Sequence, residues 1–137
     1  MIHRSFPLIL GTAVVAWTST ALAVCLNGHP SLQQEYQRST TVFVGRVVSE
    51  DFTPESKNYL DGTTYSVQVE EVLRGSPAKT VKLFPEYSSG RFPMQVGATY
   101  LIFVYEESDR LNVDNCGNSG KLPEKAEALA ALRKMKR

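Results

Sequence analysis

The stretch Thr40-Thr41-Val42-Phe43-Val44-Gly45-Arg46-Val47-Val48-Ser49 decides the fold. It is dense in β-branched residues, which stiffen the chain and favour a pleated strand. Val42, Val44 and Val48 fall on one face; Phe43, Gly45 and Val47 fall on the other. The run is therefore expected to be the first strand. Gly45 inside the run marks a bulge or a sharp coil of the kind a small closed barrel needs.

Four further strands are expected downstream. Thr63 to Leu73 alternates cleanly, with Tyr65, Val67 and Val69 against Ser66, Gln68 and Glu70, and the phase slips at Glu71-Val72-Leu73. Thr80 to Phe84 carries Val81 and Leu83 inward, Thr99 to Tyr105 is nearly continuous and apolar and so reads as central, and Leu111 to Asn115 is short and ends at Cys116. Between them, Glu50 to Asp61 reads as a polar connection ending in the hairpin signal Asp61-Gly62. Arg74-Gly75-Ser76-Pro77 reads as a turn, and Pro85 to Pro93 as a longer loop.

A helix is expected at each end of the strand region. Ser31 is an N-cap followed three residues later by Gln34, a capping-box spacing, and Leu32, Glu35 and Tyr36 share one face, of which Leu32 and Tyr36 would pack. Pro123 to Arg137 is the second helix: Pro123 and Glu124 suit its first turn and Arg133, Lys134, Lys136 and Arg137 its last, with Ala126, Leu129 and Leu132 as a docking stripe. Five short strands, one long crossover and two flanking helices predict a mainly β fold. The expected architecture is a small five-stranded Greek-key barrel of the OB type over residues 24–120, with a basic helix at 121–137.

The first 23 residues read as a secretory signal. His3 and Arg4 form a weakly basic start, Phe6 to Trp17 an apolar core, and Ala21-Leu22-Ala23 a small-residue cleavage site, leaving Val24 first. The apolar run is shorter than the about 20 residues that a membrane span needs, so no transmembrane segment is expected after processing. Leu22-Ala23-Val24-Cys25 also resembles a lipobox, the alternative being a lipid anchor through Cys25. In an exported chain the two cysteines, Cys25 and Cys116, read as one disulfide. Closing a loop of that length is worth about 4–5 kcal/mol in the chain-entropy picture, as an upper bound.

Charge excludes one class of partner. The chain carries a formal net charge of +1, and removal of Arg4 with the leader brings it to neutrality, which gives no electrostatic reason to expect nucleic acid. Catalysis has no visible constellation either. His29 is the one histidine after processing, in a Gly-His-Pro turn, and the pairs Glu70-Glu71 and Glu106-Glu107 are strand neighbours that point to opposite faces. The expectation is a protein that is not an enzyme and has no cofactor and no metal of its own. Most aromatics alternate with valines and read as core; Tyr87 and Phe92, flanking Ser88-Ser89-Gly90-Arg91, read as exposed.

Several segments in this order resemble the tissue inhibitors of metalloproteinases and their netrin-like OB domains. These are Cys25-Leu26-Asn27-Gly28-His29-Pro30 with the helix after it, the Val42 to Val48 strand, Tyr65 to Gly75, Tyr100-Leu101-Ile102-Phe103 and Leu111 to Cys116. The resemblance implies an OB barrel and an exported bacterial-type relative. In that family the amino group and first carbonyl of an N-terminal cysteine chelate the zinc of a protease, and the next side chain enters its specificity pocket. The family starts with C-x-C; this chain has only Cys25, and in the family it is the second cysteine of that pair that joins the late one. The function expected first is therefore an exported, disulfide-stapled module that binds a protein or envelope component. Its partner-binding ridge is expected at Val24, Cys25, Leu26, Asn27 and His29 with Tyr87, Ser88, Arg91 and Phe92. The alternative is inhibition of a zinc metalloprotease through the mature N-terminus. The intact mass of the exported protein is expected to start at Val24, two hydrogens short, and to gain two alkyl groups only after reduction. A mass carrying acyl chains on Cys25 and one free thiol would replace the staple by a lipid anchor.

Overall fold

The computed structural model describes residues 25–57, 60–85, 91–107 and 109–136. The expected leader and Val24 lie outside them, as do Tyr87 and Ser88. In chain order the elements are α1 (Leu32–Arg38), β1 (Thr41–Thr53), β2 (Gly62–Arg74), β3 (Thr80–Leu83), β4 (Thr99–Glu107), β5 (Arg110–Asn112), β6 (Gly120–Lys121) and α2 (Ala126–Met135).

The fold is mainly β, a nearly closed barrel of five antiparallel strands with a helix at each end. The sheet order is β3-β2-β1-β4-β5, so β1 pairs on both edges, with β2 and with β4. β3 and β5 come together at the seam, where the Phe84 N–H donates to the Leu111 carbonyl at 2.9 Å. This is the Greek-key order expected from the strand pattern.

The double-faced character of β1 and β4 is the reason two cores exist. Phe43 and Val47 of β1, Tyr65 and Val67 of β2, and Tyr100, Ile102 and Val104 of β4 fill the barrel interior with Val81, Leu83 and Val113. The alternate residues Val42, Val44, Leu101 and Phe103 face the other way, where Leu129 and Leu132 of α2 and Leu32 and Tyr36 of α1 cover them together with Leu73. Burial of one such side chain is worth about 1.5–3 kcal/mol, so both layers contribute.

Coiling one strand around a small barrel requires bulges. The register with β2 slips three times, leaving Val48 as the extra residue of β1 and Glu70 and Leu73 as the extra residues of β2. The slip after Glu70 explains why Leu73 leaves the barrel phase of Tyr65 and Val67 and joins the helix-covered core. Val48, grouped by alternation with Val42 and Val44, is instead 46% exposed, because the bulge turns it out. Strand pairing also continues to Thr53, so the polar connection expected from Glu50 begins four residues later.

The C-terminal segment differs from expectation at its start. Lys121 belongs to β6, which pairs with β4, and the helix begins at Ala126 rather than Pro123. The Leu122 N–H donates to the Thr99 carbonyl, extending the sheet edge, and the Ala126 N–H to the Pro123 carbonyl forms an intervening turn. The docking stripe is Leu129 and Leu132 with Ala128; Ala126 is exposed. Arg133 forks onto Glu71 of β2 at 3.0 and 2.6 Å, holding that carboxyl below its ordinary range, and Lys136 donates to the Val72 carbonyl.

Gly45 is where the barrel wall is tightest. A Cβ there would stand 2.6 Å from Val67 Cγ1, 2.9 Å from Phe43 and 3.0 Å from the Gln68 carbonyl oxygen. Two of these neighbours are locked in the interior and the third is backbone, so overpacking cannot relax cheaply. Gly45→Ala is expected to cost about 1–3 kcal/mol, read as a lowered denaturation midpoint at unchanged m-value.

Candidate protein-contact site at the disulfide-anchored turn

Cys25 opens the described chain and is bonded to Cys116, 91 residues away, with a Cα–Cα distance of 5.7 Å. The turn that follows is closed by the Gly28 N–H donating to the Cys25 carbonyl at 2.9 Å, with Gly28 at φ +70°, a conformation glycine adopts without cost. His29 Nδ1 lies 2.8 Å from the Cys116 carbonyl. A carbonyl only accepts, so Nδ1 carries the proton. His29 is exposed beside the turn and tied to Cys116 by this bond.

Behind the turn sits a carboxylate that the sequence reading placed on the helix face without a role. Glu35 of α1 is 0% exposed. Its Oε1 accepts from the Tyr105 hydroxyl of β4 at 2.8 Å, and its Oε2 accepts from the Asn118 backbone N–H at 2.5 Å and side-chain amide at 2.6 Å. The Asn118 amide also donates to the Pro30 carbonyl at 3.1 Å, returning to the segment just after the turn. Burial first, and the hydrogen bond to the Glu35 carboxylate next, push the Tyr105 hydroxyl far above the usual phenol range, so it remains a donor.

The fit leaves no slack. A Cβ on Gly117 would collide with Glu35 Oε1, so only glycine lets the 114–119 loop pass over the carboxylate. That loop is further held by the Cys116 N–H on Asp114 Oδ1 and by Ser119, whose buried hydroxyl accepts from the Phe103 N–H. α1 itself starts with the expected capping box, Ser31 Oγ accepting from Gln34 N–H while Gln34 Oε1 accepts from Ser31 N–H. Arg74 reaches from β2 to the Gln37 and Ser39 carbonyls and stacks on the Tyr36 ring at 5.4 Å, seating the other end of the helix.

What this scaffold presents is the short segment Leu26 to His29. Leu26 is 90% exposed, an isolated aliphatic side chain standing directly after a disulfide-held residue, and Asn27 and His29 are exposed beside it. Of the expected ridge, Cys25 and His29 are both tied to Cys116, and Leu26 and Asn27 lie between them. Arg91 is exposed, but Phe92 is not: it is 8% exposed, packs in the barrel core with Met94, and meets Tyr100 edge-on at 6.1 Å. The Phe92 ring is part of the packing of the barrel interior.

Among the described residues no group of histidine, cysteine and acidic side chains is arranged to hold a metal ion, and no helix is long and apolar enough to cross a membrane. The signal that could have revealed the Glu35 network is an acidic residue on the packed face of an amphipathic helix, which demands buried donors.

Removing the carboxylate and removing its charge separate the two roles of Glu35. Glu35→Ala is expected to cost about 3 kcal/mol, since it strands the donors of Tyr105 and Asn118. Glu35→Gln keeps an acceptor for Asn118 and offers a donor to Tyr105, and is expected to cost about 1 kcal/mol. Equal losses in urea denaturation would mean that charge, not geometry, dominates. The site rests on this geometry, since no protein-family model matches the chain and no curated protein matches it.

Proposed function

We propose that this protein is an exported, disulfide-stapled binding module of the netrin-like type, which contacts a protein or an envelope component through Leu26, Asn27 and His29. The observation that carries this reading is the 90% exposure of Leu26 on a turn whose two ends are fixed. The turn is held by the Cys25–Cys116 bond, by the His29 bond to Cys116 and by the Glu35–Asn118–Pro30 chain. An exposed aliphatic side chain on a mobile tail would lose its ordering entropy on binding; here most of that cost is met in folding. The oxidised staple fits an exporting route.

A second reading has its own support. The resemblance to metalloproteinase inhibitors aligns Cys25 with a cysteine of their zinc-chelating start, and the mature N-terminus, at Val24 or Cys25, would then reach the protease zinc. In this reading the α-amino group next to the staple is the zinc ligand, and a near-neutral pH suffices to free it, its ordinary pKa being about 7.7–8.0.

One set of proteins tests both. The exported protein, a Leu26→Asp variant and a form extended by two residues at its mature N-terminus are compared for inhibition of a panel of zinc metalloproteases and for binding to the envelope fraction of the producing cell. The inhibitor reading expects inhibition that disappears on extension. The binding-module reading expects envelope binding that survives extension and falls about tenfold or more in Leu26→Asp, one aliphatic anchor being worth at least 1.4 kcal/mol. Binding indifferent to Leu26 would remove this turn from the function.

A further inference from the structure

The barrel does not close completely, and the place where it stays open has a defined hydrogen-bonding pattern. β3 pairs with β2 in the register Tyr65↔Leu83, Ser66↔Lys82, Val67↔Val81, Gln68↔Thr80. In an antiparallel pair, only every second facing couple exchanges backbone bonds. The Val69 N–H donates to the Lys79 carbonyl. The bonded couples in this phase are therefore those of Val81 and Leu83, and the N–H and C=O groups of Thr80 and Lys82 turn away from β2. Phe84 is in the same phase as Thr80 and Lys82, and its N–H does turn outward, to the Leu111 carbonyl. That bond is not continued into a ladder, because β3 and β5 are not paired.

Above it the seam widens into a groove of about 580 Å³, within the range of ligand-binding clefts. Thr80, Val81 and Lys82 of β3 and Arg110 and Leu111 of β5 are among its lining residues, with Phe84, whose ring centroid lies 3.9 Å from the Arg110 guanidinium. The groove shares no residue with the Cys25 turn.

We propose that this seam is a second binding site, which takes an extended segment of a partner protein as an added strand on the free edge of β3. Two observations select that occupant. The outward groups alternate donor and acceptor at strand spacing, which only an extended backbone matches along its length. Lys82 is exposed beside the edge and has no ion-pair partner among the described residues, which favours an acidic side chain on the incoming strand. The inference stands independently of the proposed role of Leu26.

The test uses the disulfide-bonded protein and a random peptide library displayed on phage. Peptides enriched on it are expected to protect the Thr80 and Lys82 amides from hydrogen exchange, and to carry an acidic residue in common. Thr80→Pro deletes an outward N–H at the first residue of an edge strand, where proline costs no ladder bond, and is expected to weaken binding about tenfold or more. Lys82→Glu is expected to weaken the acidic peptides likewise, while both variants keep the parent circular dichroism spectrum. A failure to enrich any peptide, or peptides whose binding ignores both variants, overturns the proposal. A concentration-dependent dimer abolished by Thr80→Pro would overturn it too, in favour of a second copy of this chain at the edge.

Discussion

A strand that is bonded along both edges and covered on both faces has no surface left for water, and β1 is in that position over its first half. Its edges are taken by β2 and β4, its Phe43 and Val47 by the barrel interior, and its Val42 and Val44 by the helices. Everything else is arranged around satisfying that strand. The bulges exist because it must coil tightly enough to bring β3 near β5, and Gly45 exists because the wall of the coil presses on Val67 and Phe43. Where the covering ends, near Val48, the residues become exposed and the strand runs on as a two-stranded arm to Thr53.

The second layer of organisation is the tie between the N-terminal helix and the end of the strand region. Two unlike devices make the same connection: a covalent bond at Cys25–Cys116 and a buried carboxylate gripped by Tyr105 and Asn118. A buried charge is costly unless its lone pairs are filled, so Glu35 contributes specificity of docking more than raw stability. It permits one seating of α1, the one that brings Cys25 beside Cys116.

Much of this was legible in the sequence. Thr40 to Ser49 announced the first strand and Thr99 to Tyr105 a central one, the break in alternation near Glu71 announced a bulge, and Ser31 with Gln34 announced the helix start. The even cysteine count, in a chain that reads as exported, announced the staple. What stayed hidden was set by tertiary contact. Phe92 sits in a loop rich in turn residues and reads as exposed, yet its ring is part of the packing of the barrel interior. Glu35 reads as an ordinary helical acid because its donors lie 70 and 83 residues away. β6 is two residues long, below any periodicity, and takes Lys121 from the expected helix.

The Glu35 anchorage has a consequence for how the staple is made. His29 on Cys116, and Asn118 on both Glu35 and Pro30, join the two cysteine-bearing segments without help from sulfur. In the reduced but folded chain each thiol therefore meets the other at the high effective concentration of an intramolecular encounter. An oxidant then acts on a pair already chosen by hydrogen bonds. Covalent closure then becomes a seal on a barrel whose two cysteine-bearing segments are already joined by hydrogen bonds.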